Sequence, residues 1–140
     1  MPTDPTTRDA VLRWARDLYD TAVDHKDARG FAAAFVPHAW LRFGNNPRTE
    51  GREAIETAIA GFFTAMVSLA HAADGAFLDG NTLILEAHVT YLRHDGRSVT
   101  VPAVTIFRLV TGTDGTIALP PLADECRIFV DLAPLFTPAA

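Results

Sequence analysis

The feature that most constrains the fold is a change of hydrophobic period at about His71. Before this residue, apolar side chains recur three and four positions apart, which is typical of the buried face of a helix. After it, long runs of alternating apolar and polar residues are separated by Asp79-Gly80 and Asp95-Gly96, both favoured hairpin turns. Helices followed by an antiparallel meander predict an α+β domain, with the helices covering one face of a curved sheet.

Three helices are predicted in the first half of the chain. A capping box at Thr6–Asp9 precedes an apolar stripe that runs to Val23. Asp27 is expected to cap a short second helix, which Pro37 ends, and a third helix begins at about Arg52.

One short strand is predicted before the third helix and four after His71. Pro120-Pro121 interrupts the pattern before the last strand, because proline cannot join a central ladder. With no repeat and no linker, residues 1–140 are expected to form a single domain. The predicted strands are Ala39–Phe43, Phe77-Leu78, Thr82–Arg93, Ser98–Val110 and Glu125–Asp131.

Composition excludes several classes of protein. The 140 residues are 49% hydrophobic and 21% charged, with a net charge of −5 and no basic block, so neither disorder nor nucleic-acid binding is expected. The N-terminus lacks the pattern of a secretory leader and no apolar run suits a membrane span, so we expect a soluble, cytoplasmic protein. The single cysteine, Cys126, rules out an internal disulfide. Phosphate-loop, zinc and nucleophilic-serine motifs are lacking, and no cofactor or metal is expected.

Polar groups interrupt the apolar run Leu83–Tyr91 at every second position. On an extended strand Glu86, His88 and Thr90 share one face, while the other face carries Leu83, Leu85, Ala87, Val89 and Tyr91. If the polar face meets water, the pair of ionisable groups is ordinary surface. If it lines a cavity, the carboxylate and the imidazole are candidates for acid/base chemistry.

Several strings in this order resemble one family. They are Phe43–Pro47 followed by Gly51–Ile55, then Val89–Tyr91 with Asp95–Arg97, and finally Arg127–Phe136. Together they resemble the nuclear transport factor two-like superfamily, and within it the SnoaL-like group. The resemblance implies a cystatin-like α+β barrel, in which a cone-shaped, curved antiparallel sheet wraps around three N-terminal helices and encloses a deep apolar pocket. It also implies a homodimer. Ketosteroid isomerase, limonene-epoxide hydrolase, scytalone dehydratase and polyketide cyclases are members, so the fold alone does not determine the reaction.

Alignment with two of these enzymes carries over only part of either site. Against the epoxide hydrolases, Glu86 and His88 fall where that family has a catalytic Arg and Asp, and Asp131 falls at its second catalytic Asp. Against the isomerase, Tyr19 falls near the oxyanion-hole tyrosine and Thr105 near the protonated acid. The isomerase's general-base aspartate falls at Arg42 or Phe43, so neither of its carboxylates is kept.

The resulting hypothesis is a site in which ionisable groups converge inside an apolar cup. His88 would transfer the proton, Asp131 would set its tautomer, Glu86 and Arg127 would tune the site or bind substrate, and Tyr19 would donate to an oxyanion. The side chains predicted to contact substrate are Arg127, Trp40, Arg42, Thr105, Phe63, Phe129 and His71.

Structural alternatives stay open for these residues. Glu86 with Arg127 could form a cross-strand ion pair at a dimer contact, and His88 could be a satisfied core or interface histidine. Asp131 could cap the terminal turn. His71 is either a second acid/base group or a cation that favours the end of the third helix.

Three further choices are left open. Tyr19 lies on the apolar stripe of the first helix, where a core role competes with catalysis. Trp40 and Arg42 share a strand face, so both line the cavity or both lie outside it. The loop Leu119–Asp124 is a candidate lid or partner contact.

Two functions are therefore weighed. The first is a cofactor-independent isomerase, dehydratase, cyclase or epoxide hydrolase that acts on a small, apolar, oxygenated molecule. The second is a ligand-binding or dimeric assembly module without chemistry. A homodimer is expected under both, because Ile84, Val99 or Val101 would only partly cover an apolar outer face.

Overall fold

A computed structural model describes residues 4–138, and in it the helices precede most of the strands, as predicted. The sheet has six strands in the order β2-β1-β6-β5-β4-β3 and curves without closing. The helical segments are α1 (Pro5–Thr21), a 3₁₀ turn (Val23–His25), α2 (Ala28–Ala32), α3 (Arg52–Thr64) and α4 (Ala133–Phe136). The strands are β1 (Phe35–Phe43), β2 (Thr49–Glu50), β3 (Ser68–Asp79), β4 (Thr82–Leu92), β5 (Ser98–Leu109) and β6 (Ala123–Val130).

Helix boundaries differ from the predictions at two places. Helix α1 is capped by Asp4, whose carboxylate accepts a hydrogen bond from the Thr6 amide at 3.4 Å, so the predicted capping box begins two residues too late. Asp27 caps α2 as predicted and accepts from the Gly30 amide at 2.9 Å. Pro37 does not end α2; it lies inside β1, where the register against β6 shifts.

The sheet is antiparallel except where β1 runs parallel to β6. Both Asp-Gly pairs form the predicted hairpin turns, and Gly80 and Gly96 adopt positive φ values of 58° and 88°. Strand β3 is much longer than predicted, since it begins at Ser68. His71 therefore lies within a strand, and the interpretation of it as a helix-terminal cation is wrong.

The core lies between the helices and the inner face of the sheet. The apolar stripe of α1 contributes Val11, Ala15 and Leu18, which pack with side chains from α3 and the strands. Burial of each large apolar side chain stabilises the fold by about 1.5–3 kcal/mol. The largest fully buried side chains are Phe35, Phe107, Leu41, Ile55, Met66, Leu83, Leu109, Val11, Val89 and Cys126.

The alternation along β4 decides which face is inward. Leu83, Val89 and Tyr91 are buried against the helices, whereas Glu86 and His88 are exposed on the opposite face. The same rule puts Val99 and Val101 on the inner face, since they pair with Tyr91 and Val89. Ile84 does lie on the outer face, but the expectation that those two valines do so is wrong.

Candidate active site

Four polar side chains meet on the inner side of the sheet. Tyr19 comes from α1, Asp24 from the 3₁₀ turn, His71 from β3 and Thr105 from β5. Thr105 is buried, and Tyr19 and His71 line the same two pockets that it does. Distant parts of the sequence thus supply one cluster at the edge of an apolar core.

The Asp24 carboxylate holds His71 at two points. One oxygen lies 2.6 Å from the imidazole Nδ1, and the other accepts from the His71 backbone N–H at 3.1 Å. Because an ionised carboxylate can only accept, Nδ1 must carry a proton, and Nε2 is left with a lone pair when the ring is neutral. The side chains of His71 and Asp24 are only 17% and 20% exposed. This is the arrangement of an oriented general base or acid.

The short connection after α1 positions Asp24. Lys26 adopts a left-handed conformation (φ 58°) that ends the 3₁₀ turn, and its amide donates to the Val23 carbonyl at 3.0 Å. The Lys26 ammonium donates to the carbonyls of Met66 and Val67, at 3.0 and 3.2 Å. These bonds tie the turn to the chain that leads into β3, and therefore to His71.

Tyr19 lies beside the imidazole. The centroids of the Tyr19 and His71 rings are 4.6 Å apart and their planes are inclined by 59°. Burial raises the pKa of Tyr19 above its ordinary value of 10.0, Cys126 adds to this effect, and a hydrogen bond with Thr105 opposes it. Tyr19 is thus a neutral O–H donor at physiological pH.

Two pockets share this cluster as a wall. The cone pocket, between the helices and the sheet, has a volume of about 40 Å³. The side pocket, between α1 and the β3–β4 hairpin, has a volume of about 330 Å³. The shared residues are Tyr19, His71, Ala103 and Thr105.

The linings of the two pockets differ in polarity. Six phenylalanine and tyrosine rings line the cone pocket. Burial there, and to a smaller extent the charge of Asp24, raises the pKa of Tyr91 to about 12. The side pocket carries charged groups on Arg16, Asp20, Asp74 and Glu86 besides apolar side chains. The phenylalanine and tyrosine residues of the cone pocket are Tyr19, Phe31, Phe43, Phe62, Phe63 and Tyr91.

A β-bulge shapes the wall of the side pocket. The register of β3 against β4 shifts between Ala73 and Gly75, and a bulge leaves backbone polar groups outside the ladder. A Cβ at Gly75 would lie only 3.2 Å from the Phe77 ring and 3.3 Å from a Glu86 carboxylate oxygen. The absence of a side chain at Gly75 therefore lets the Glu86 carboxylate lie against the bulge.

The predicted convergence of His88 and Asp131 is wrong. His88 lies on the outer face, where its Nδ1 contacts a carboxylate oxygen of Asp74 at 2.5 Å. Asp131 is exposed and accepts from the Ala133 amide at 3.0 Å, so the capping interpretation is confirmed. The physical reason is strand alternation, since the inner positions of β4 are its apolar ones.

Glu86 and Arg127 do not form the ion pair considered from the sequence. Arg127 lies on the outer face of β6 and pairs with Glu125, with 3.2 Å between Nε and Oε2. Glu86 also belongs to the outer face, but it reaches the rim of the side pocket at the bulge. Of Glu86 and Arg127, therefore, only Glu86 lines the side pocket that the polar cluster borders.

Trp40, Arg42 and Phe129 lie outside the cone, against expectation. The Arg48 guanidinium covers the Trp40 ring at 3.7 Å from its centroid. Arg42 and Phe129 line a shallow groove beside the loop that follows β1. Trp40 and Arg42 point outward because Leu41 and Phe43 take the inner positions of this part of β1.

Of the other predicted residues, Tyr19, His71, Thr105 and Phe63 do line the cone pocket. Asp24 was missed, because it stands 47 positions before its partner in a polar connection between helices. Alternation offers one usable signal, since a strand through Leu69, His71 and Ala73 would have put the imidazole on the inner face.

Two absences concern only the span from residue 4 to residue 138. In that span no three His, Cys, Asp or Glu side chains are placed to hold a metal ion. No helix there has the length and apolar character needed to cross a membrane.

Solved structures of similar fold come from several bacteria. An NTF2-like protein of unknown function from Burkholderia pseudomallei is 18% identical, with 92% of this chain and 98% of that one covered at a TM-score of 0.77. ActVI-ORFA from Streptomyces coelicolor is 21% identical, with 89% of this chain and 97% of that one covered at a TM-score of 0.70. A protein of Jannaschia sp. with the provisional name SnoaL-like polyketide cyclase is 22% identical, with 99% and 97% covered at 0.70.

No curated protein matches the chain. The model of the SnoaL-like domain matches residues 15–119, a span that starts within α1, extends past β5 and includes every residue of the polar cluster. The family and the fold expected from the sequence are therefore confirmed. The chain belongs to the SnoaL-like domain family and has the NTF2-like cone fold.

Proposed function

We propose that the protein is a cofactor-independent acid/base enzyme that acts on a small, largely apolar, oxygenated molecule. The observation that carries the proposal is the His71–Asp24 pair, with 2.6 Å between nitrogen and oxygen, at the wall shared by two pockets. A largely buried, oriented imidazole that lines a pocket is suited to proton transfer. Names such as polyketide cyclase among proteins of similar fold agree with this class of chemistry.

The roles follow from the geometry. His71 Nε2 removes a proton from a carbon next to a carbonyl group, and Asp24 stabilises the imidazolium that forms. The Tyr19 hydroxyl donates to the oxygen on which negative charge develops, and Thr105 orients that hydroxyl. The imidazolium then returns the proton to another atom of the substrate, which completes an isomerisation, a dehydration or a ring closure.

The test compares two histidines that form similar pairs. We expect His71→Gln to lower turnover by about 10²- to 10⁴-fold on whichever member of a panel of enones, hydroxyketones and epoxides the wild type converts. The matched control is His88→Gln, which changes an exposed pair and should leave turnover within about twofold. Equal turnover in both variants would contradict the proposal and favour the alternative function, a module that binds small molecules without converting them.

We also propose that the outer face of the sheet pairs with a second copy of the chain. Phe77 and Phe129 expose about half of their surface there, and Ile84, Val104 and Ile106 lie between them. Apolar groups grouped on one sheet face are typical of protein contacts. Sedimentation should show a dimer for the wild type and a monomer for Phe129→Glu. A wild-type monomer at high concentration would contradict this proposal.

A further inference from the structure

We infer that the two pockets form one two-lobed binding site, and that the substrate carries a ring-sized body with a short alkyl branch beside its reacting carbon. The branch occupies the cone pocket and the body occupies the side pocket. This inference rests on the proposed function, because it assumes that the reacting carbon lies at His71.

The first support is the shared wall. Tyr19, His71, Ala103 and Thr105 border both pockets, so the proposed proton-transfer groups stand at the junction. Ala103 contributes only a methyl group to this shared wall.

The second support is size. A volume of about 330 Å³ lies within the usual range of about 300–1,000 Å³ for ligand pockets, and suits a body of one or two rings. The cone pocket, at about 40 Å³, has room for roughly three water-sized groups. It is too small for a ring and matches a chain of two or three carbons.

The third support is the chemistry of the linings. The cone pocket is bordered mainly by aromatic and aliphatic side chains. Its polar side-chain atoms belong to Tyr91 and to Tyr19, His71 and Thr105 of the shared wall. A charged substituent would lose its hydration there without a partner, so the branch must be a neutral hydrocarbon. Arg16, Asp20 and Glu86 instead supply hydrogen-bonding groups at the rim of the side pocket, where the oxygenated body would lie.

The experiment measures binding of 1-naphthyl alkyl ketones, with alkyl chains from methyl to hexyl, by isothermal titration. For the wild type we expect affinity to rise about fourfold per added methylene as far as propyl, and then to fall. Phe62→Leu enlarges the cone pocket and should move the optimum to a longer chain. Ala103→Val fills the junction and should move it to a shorter one.

Phe77→Leu is the matched control, since Phe77 lies on the outer face and should leave the optimum where it is. An affinity that rises steadily to hexyl, or an optimum that neither Phe62→Leu nor Ala103→Val moves, overturns the two-lobed site. Circular dichroism of each variant shows whether it is folded. Phe62→Leu and Ala103→Val change the pocket in opposite directions, so a single folded variant is enough to test whether the optimum moves.

The same titration series with the His71→Gln variant, together with its turnover, separates the two-lobed site from the proposed acid/base chemistry. An optimum that persists while His71→Gln leaves turnover unchanged supports the two lobes and contradicts the proposed chemistry. A loss of turnover without any chain-length optimum supports the chemistry and contradicts the two lobes.

Discussion

Two His–Asp pairs lie on opposite faces of the hairpin formed by β3 and β4. In the inner pair, His71 and Asp24 are 17% and 20% exposed; in the outer pair, His88 and Asp74 are 54% and 46% exposed. The separations are nearly equal, at 2.6 and 2.5 Å. Local chemistry is thus almost the same, and the surroundings alone distinguish a candidate catalytic pair from a surface pair.

The difference shows what makes such a pair useful. Both side chains of the outer pair are about half exposed, so water competes for their hydrogen bond and screens their interaction, which contributes little energy. The side chains of His71 and Asp24 are largely buried, and this burial strengthens their interaction. The pair leaves the His71 Nε2 for a bound molecule. Asp24 is also anchored by a second bond from the His71 amide, at 3.1 Å.

The largest effect should come from Asp24→Asn. An amide can donate to Nδ1, which would move the imidazole proton to Nε2 and remove the base. We expect turnover to fall by about 10²- to 10⁴-fold, while His88→Gln, which changes the outer pair at a residue that lines neither pocket, leaves it within about twofold. Steady-state kinetics of both variants decides the matter. Comparable losses would show that the inner pair has no special role.

A smaller effect concerns the stability of the inner face at high pH. The pKa of Tyr91 is about 12 in the folded protein and 10.0 ordinarily, so the unfolded chain ionises first as pH rises. Burial of neutral Tyr91 therefore contributes fully to the free energy of unfolding below pH 10. By pH 12 this contribution is lost, which lowers the free energy of unfolding by about 2–3 kcal/mol.

Urea unfolding of the wild type and Tyr91→Phe at pH 9 and pH 12 measures this difference. The wild type should lose about 2–3 kcal/mol more than the variant between the two values. Thr90→Val, one position away on the outer face, serves as the control and should follow the wild type. Parallel losses in wild type and Tyr91→Phe would refute the assignment.

The smallest effect is expected at Asp131, whose carboxylate caps the start of α4 on the solvent side. Asp131→Ala should lower the free energy of unfolding by about 1 kcal/mol, and Asp131→Asn by less, since an amide oxygen can still accept. Neither change should alter kcat. A selective loss of kcat in Asp131→Asn would restore this residue to the catalytic hypothesis.

Much of the fold could be predicted because it depends on short-range rules. The Asp-Gly turns at Gly80 and Gly96 and the cap at Asp27 are where local chemistry puts them. The candidate site could be predicted only in part. Tyr19 and Thr105 were found through family resemblance, whereas Asp24 carries no local sign of its partner.

By itself, the sequence determined the order of helices and strands, their hairpins and the alternation that divides each strand into two faces. Only the tertiary structure decided which of those faces looks inward, and hence that His71 rather than His88 faces the pockets. Alternation is a property of neighbouring residues, but the inward face is selected by the apolar surface that α1 and α3 bury against the sheet. That choice depends on contacts between residues far apart in the chain, which no local pattern encodes.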